Sequence, residues 1–84
     1  MSYSLAFKPS AEKELRKLHR DTIPRVVQAI RALADEPRPH GCVKLSGSQS
    51  WRIRIGDYRI IYDIDDTSQK IDVLYIGHRR EVYR

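Results

Sequence analysis

Residues 51–62 read Trp51-Arg52-Ile53-Arg54-Ile55-Gly56-Asp57-Tyr58-Arg59-Ile60-Ile61-Tyr62. Trp51, Ile53 and Ile55 alternate with Arg52 and Arg54, and a period of two is the mark of a half-buried strand. Gly56-Asp57 is a tight-turn signal. Beyond it Tyr58, Ile60, Tyr62 and Ile64 alternate with Arg59, Ile61 and Asp63. Two such strands about a two-residue turn make a hairpin. Its period sends the first set of side chains to a core and Arg52, Arg54 and Arg59 to the opposite face. Like charges facing each other across strands are destabilising. A merely solvated face would mix Glu or Lys with the Arg, so three clustered guanidinium groups suit a visiting anion.

Working outward, Asp65 to Lys70 is a polar turn, and Ile71 to Ile76 is a nearly continuous apolar strand. Gly77 is expected to end it. His78-Arg79-Arg80-Glu81-Val82-Tyr83-Arg84 then forms a basic tail at the strand terminus. With this last strand beside 58–64, the tail falls near the arginine face. Upstream, Pro37 to Ser50 is loop-like, with a brief strand possible at Val43-Lys44-Leu45. At the N-terminus Tyr3, Leu5 and Phe7 share one face of a short strand. Ser10 is placed to N-cap a helix with Ala11, Leu15 and Leu18 as its apolar stripe. His19-Arg20-Asp21 is a joint. A second helix starts near Asp21 or Thr22, carries Ile23, Val26, Val27, Ile30, Leu33 and Ala34 on one face, and ends before Pro37. The expected fold class is α+β, in a single domain over residues 1–84. An N-terminal strand and a helical hairpin precede an antiparallel meander. The result is a twisted antiparallel sheet of about four strands, with two helices on one face.

The chain has 84 residues, which suits one small domain. It carries 16 Lys and Arg against 11 Asp and Glu, a net charge of +5, and 11 of the 16 are Arg. Guanidinium groups grip phosphate bidentately and stack on bases, so the balance favours a nucleic-acid partner. Cys42 is the only cysteine, which excludes a disulfide framework and a thiolate metal site and fits a reduced, cytoplasmic setting. The first eight residues lack the apolar stretch of a signal peptide, and no apolar run approaches membrane-spanning length.

Phosphodiester cleavage needs a base for the attacking oxygen, an acid for the leaving oxygen, and cations around the phosphorane. His78 is the one histidine in the basic zone, and histidine is the usual base near neutral pH. Tyr83 is the other candidate base, since neighbouring arginines favour its phenolate. No carboxylate cluster stands beside the arginines to hold Mg²⁺, and there is no phosphate-cradling Gly-rich loop. No metal or cofactor is expected. Chemistry by Arg and an acid/base pair points to RNA, whose 2′-hydroxyl is a built-in nucleophile.

Several stretches together resemble the RelE branch of the RelE/ParE toxin superfamily. They are Phe7-Lys8-Pro9-Ser10-Ala11-Glu12-Lys13-Glu14-Leu15, Pro37-Arg38-Pro39, Lys44-Leu45-Ser46-Gly47, the 51–62 hairpin, and Gly77-His78-Arg79-Arg80-Glu81-Val82-Tyr83. The resemblance implies a RelE-like microbial RNase fold and a type II toxin that cuts mRNA in the ribosomal A site. Cleavage there is by 2′-hydroxyl attack. It implies that Arg52 and Arg54 are the basic pair of the first hairpin strand and that Arg59 grips the phosphate. It puts Arg79 at the leaving group and makes Tyr83 a base or a stacking platform. Arg80 and Lys44, with Arg52 and Arg54, would bind RNA. The implied partners are a cognate antitoxin, the ribosome and mRNA, in a toxin–antitoxin hetero-oligomer whose free toxin is a monomer. Two rival readings remain: a ParE-type DNA gyrase poison of the same fold, and a non-enzymatic RNA-binding module.

Overall fold

A computed structural model of the chain describes residues 2–78. The elements in order are β1 (Ser4–Phe7), α1 (Pro9–Lys17), α2 (Ile23–Leu33), β2 (Val43–Lys44), β3 (Ser50–Ile55), β4 (Tyr58–Asp65) and β5 (Lys70–His78). The α+β class and the element order follow the sequence pattern. The sheet differs from expectation in two respects. It has five strands, in the order β1-β5-β4-β3-β2, and it is mixed. β1 runs parallel to β5, Leu5 beside Ile71 and Phe7 beside Val73, while the remaining pairs are antiparallel. The two-residue β2 takes the other edge, with Val43 opposite Arg52 and Lys44 opposite Trp51.

Helix α1 begins at Pro9 rather than after Ser10. Lys8 holds the cap position in extended conformation (φ −62°, ψ 140°) and no side chain caps the end. The residue before a proline is driven to that extended region, and proline presets φ for a first helical turn. Helix α2 starts at Ile23, a residue or two later than expected, with Pro24 inside its first turn and Thr22 at the cap position already in helical conformation (φ −84°, ψ −34°). No helix among the described residues is long and apolar enough to cross a membrane.

The core lies between the helices and one sheet face. Ala11 of α1 and Val26, Ile30 and Leu33 of α2 meet Ile53, Ile60, Tyr62, Ile71, Val73 and Ile76, and all are buried. Tyr62 is fully buried, and its hydroxyl donates to the Pro37 carbonyl at 2.7 Å. Burial is the main cause holding that phenol protonated far above its ordinary range. A second tie fixes the 37–42 loop. Arg38 donates to both carboxylate oxygens of Asp66, at 3.4 and 2.9 Å, and Tyr3 donates to the same carboxylate at 2.7 Å. The Arg38 guanidinium also lies 5.2 Å from the centre of the Trp51 ring, a cation–π contact. Among the described residues, the opposite sheet face carries no helix.

Candidate active site

The β3–β4 hairpin turns in two residues, pairing Ile55 with Tyr58, and Gly56 adopts φ 59° at its first central position. This is the arrangement of a type II′ turn, whose twist matches that of the strands. The tight turn fixes register, and register fixes the site. Ile53 faces Ile60 and Trp51 faces Tyr62 toward the helices, so Arg54 stands directly opposite Arg59 on the helix-free face. Paired Cβ atoms in such a ladder are about 4.5–5.5 Å apart. Arg52 lies one diagonal away, on the same face, opposite Ile61.

The third strand completes the row. Arg59 is paired on its other side with Gly77 of β5, giving the line Arg54, Arg59, Gly77 across three strands. Arg59 sits on the central strand and is only 8% exposed, a buried charge rather than a surface one. The Nε nitrogens of both Arg52 and Arg59 are buried, whereas Arg54 is exposed. The face changes sign along its length. Beyond Arg52 come Ser50, Asp63 and Asp72, with the Ser50 hydroxyl donating to Asp63 at 2.6 Å. The basic end is therefore a local feature and not a uniform charge of the sheet.

Two predicted residues do not join the cluster. β5 does not stop at Gly77 but continues to His78. His78 pairs with Tyr58, so its side chain belongs to the helix-side face, where the two rings meet edge-on at 5.4 Å. The period of two that groups the arginines thus separates His78 from them. Lys44 shares the side of its partner Trp51 for the same reason, and the face position beside Arg52 is held by Val43. Arg79, Arg80 and Tyr83 lie outside the described residues. The sequence reading missed one residue on the open face, Tyr75. It stands opposite Ile61 because Leu74 is an extra residue between the Tyr62–Val73 and Ile61–Tyr75 pairs, a β-bulge. Among the described residues no three His, Cys, Asp or Glu side chains converge as a metal site.

The sequence and the α+β fold match a known family. Residues 5–83 fit the model of the family described as the ParE toxin of the type II toxin–antitoxin system parDE. The chain belongs to this toxin family. A curated relative, Toxin RelG of Mycobacterium tuberculosis, is 34% identical over 100% of this chain and 99% of its own. The toxin's fold is shared with the RelE–RelB complex of Pyrococcus horikoshii, at TM-score 0.84 and 28% identity over 94% of this chain and 97% of that one. The isolated RelE toxin of E. coli gives a TM-score of 0.82 at 29% identity, covering 98% and 92% respectively. The toxin is thus a member of the RelE/ParE superfamily, with the RelE fold.

Proposed function

We propose that this toxin is an endoribonuclease that cuts mRNA in the ribosomal A site and is neutralised by a cognate antitoxin. The observation that carries the reading is the Arg54–Arg59 pair, with Arg52 on the diagonal, on a sheet face that no helix covers among the described residues. In the reaction the 2′-oxygen attacks the adjacent phosphorus and loses its proton to a base. The P–O5′ bond breaks and the 5′-oxygen takes up a proton. The products are a 2′,3′-cyclic phosphate and a 5′-hydroxyl. Arg59 holds the phosphate and stabilises the phosphorane. Its burial lowers the local dielectric, so its field is screened less than that of a surface charge. Arg52 and Arg54 neutralise the neighbouring phosphates, and Arg80 adds charge. Arginine does not give up a proton at neutral pH, so these groups act by charge and hydrogen bonding. Arg79 serves the leaving oxygen. Tyr83 is the base or a stacking surface, and His78, on the far side of the sheet, is left out of the proton transfer.

The antitoxin reading is supported by relatives whose structures are RelE–RelB complexes. An acidic or amphipathic segment laid over the basic face would neutralise it. The second reading, a gyrase poison, is favoured by the ParE description of the matching family. One experiment separates them. Purified toxin is incubated with ribosomes programmed with a defined message, and 5′ ends are mapped. Cuts that need the ribosome and leave 5′-hydroxyl ends are expected. Gyrase-dependent DNA breaks without RNA cuts would overturn the nuclease reading.

A further inference from the structure

Gly77 is buried although it has no side chain, and the space its Cβ would take is occupied. A Cβ built there falls 2.5 Å from Cζ and 2.7 Å from Cε2 of Tyr75, and against the Tyr75 hydroxyl. Gly77 is the register partner of Arg59, so that position faces the arginine side of the sheet. The Tyr75 ring therefore lies along β5 over Gly77, in the row of Arg59 and Arg54. Neighbouring strands are about 4.8 Å apart, so the ring over Gly77 occupies the row position next to Arg59. The bulge at Leu74 is what turns Tyr75 outward. Regular pairing beyond the Tyr62–Val73 pair would send Tyr75 to the core and set Ile76 against Arg59. Tyr75 takes no part in the hydrophobic core and is half-buried, with the strand backbone on one side of the ring.

We propose that Tyr75 is a nucleobase platform, and that Gly77 is the residue that lets its ring lie flat beside the phosphate-binding arginine. The inference rests on the RNA-cleaving reading and adds to it a contact for the base next to the scissile phosphate. Single-stranded RNA is held by aromatic faces beside cationic grooves, and here a flat aromatic face and three arginines share one surface. A purine, with its larger π face, gains more from such a platform than a pyrimidine.

The test compares Tyr75→Phe, Tyr75→Leu, Tyr75→Ala, Gly77→Ala and the Tyr75→Ala/Gly77→Ala double variant. Each is assayed on ribosomes carrying a defined message, with folding checked by thermal melts. Tyr75→Leu keeps an apolar cover over Gly77 but has no ring, so it remains informative if the alanine variant unfolds. Loss of one base stack should lower kcat/KM by about five- to a hundred-fold in the Leu and Ala variants. Tyr75→Phe should cut as wild type, and the ratio of cuts beside purines to cuts beside pyrimidines should fall toward one only when the ring is lost. Gly77→Ala displaces the ring and should mimic its removal, while the double variant should be no worse than Tyr75→Ala alone. Wild-type rates and cut sites in a folded Tyr75→Leu variant overturn the platform and leave the nuclease reading intact. Absence of RNA cleavage by the wild-type toxin overturns both.

Discussion

Arg54→Gln should make the toxin more stable while weakening it. Arg54 and Arg59 are direct cross-strand partners on the open face, with Arg52 on the diagonal. Folding therefore holds positive charges side by side that the unfolded chain keeps apart. At a separation of about 7 Å two unit charges repel by about 0.6 kcal/mol in water and about 2.4 kcal/mol at an effective dielectric of 20. Arg54 is exposed, which places the pair toward the aqueous figure, within the ~0.2–1 kcal/mol measured for cross-strand pairs. Glutamine keeps the stem and removes the charge, so packing changes little. For a domain of this length a gain of about 0.5–1 kcal/mol raises Tm by about 2–8 °C. The assay is thermal unfolding of both proteins at low salt and at 1 M salt. The Debye length at 1 M is about 3 Å, so the difference should shrink sharply there, mainly because the wild type rises. An Arg54→Gln variant that melts at or below wild type in low salt would refute the claim that the cluster is held together against repulsion.

Three further outcomes follow from the geometry. Arg59→Met keeps a buried apolar stem and removes the guanidinium; RNA cleavage should drop by about 10²–10³ with the fold retained, and wild-type rates in the folded variant would remove Arg59 from the chemistry. Tyr62→Phe deletes the bond to the Pro37 carbonyl and should cost about 1 kcal/mol in a denaturant titration, with cleavage unchanged. The Asp66 carboxyl is held below its ordinary range, first by the Arg38 hydrogen bond and then by that of Tyr3. A depressed folded-state pKa gives stability that is present above the unfolded value of about 3.9 and lost as pH falls through the folded one. Acid unfolding of Asp66→Asn should lack that contribution, and an unchanged stability difference from wild type between neutral and acid pH would show the Arg38–Asp66–Tyr3 tie to be idle.

The hairpin was the most legible part of the chain because three signals agree over residues 51–64: strict alternation, a two-residue turn with Gly first, and alternation resumed in the phase the turn requires. From that agreement the shared face of Arg52, Arg54 and Arg59 could be read without coordinates. The β5 segment was not legible in the same way. Ile71, Val73, Leu74, Tyr75 and Ile76 are apolar or aromatic almost without interruption, so the run carries no phase. The bulge that inverts its inward and outward sets leaves no mark in it. Tyr75 was missed for that reason. His78 was misplaced for a related one: its neighbours in sequence are basic, but strand neighbours point to opposite faces. β1 is four residues long and carries no register signal of its own. Its parallel pairing to β5 depends on where α1 and α2 return the chain, which no local pattern specifies.

The open face carries what folding alone would not select: Arg54 against Arg59, a buried guanidinium on the central strand, and a tyrosine laid over a glycine instead of packed in the core. A domain of this size holds on the order of 5–15 kcal/mol of net stability, so a repulsion approaching 1 kcal/mol is a real fraction of it. An anion bound across those arginines relieves that repulsion in the folded state alone. A partner present at a hundred times its dissociation constant adds about 2.7 kcal/mol by mass action, more than the repulsion takes away. On the reading proposed above, an acidic antitoxin segment over this face would block the phosphate site and stabilise the toxin by the same contacts. Inhibition and stabilisation then have one electrostatic cause, and a change that eases the repulsion, such as Arg54→Gln, weakens the hold of messenger and antitoxin together.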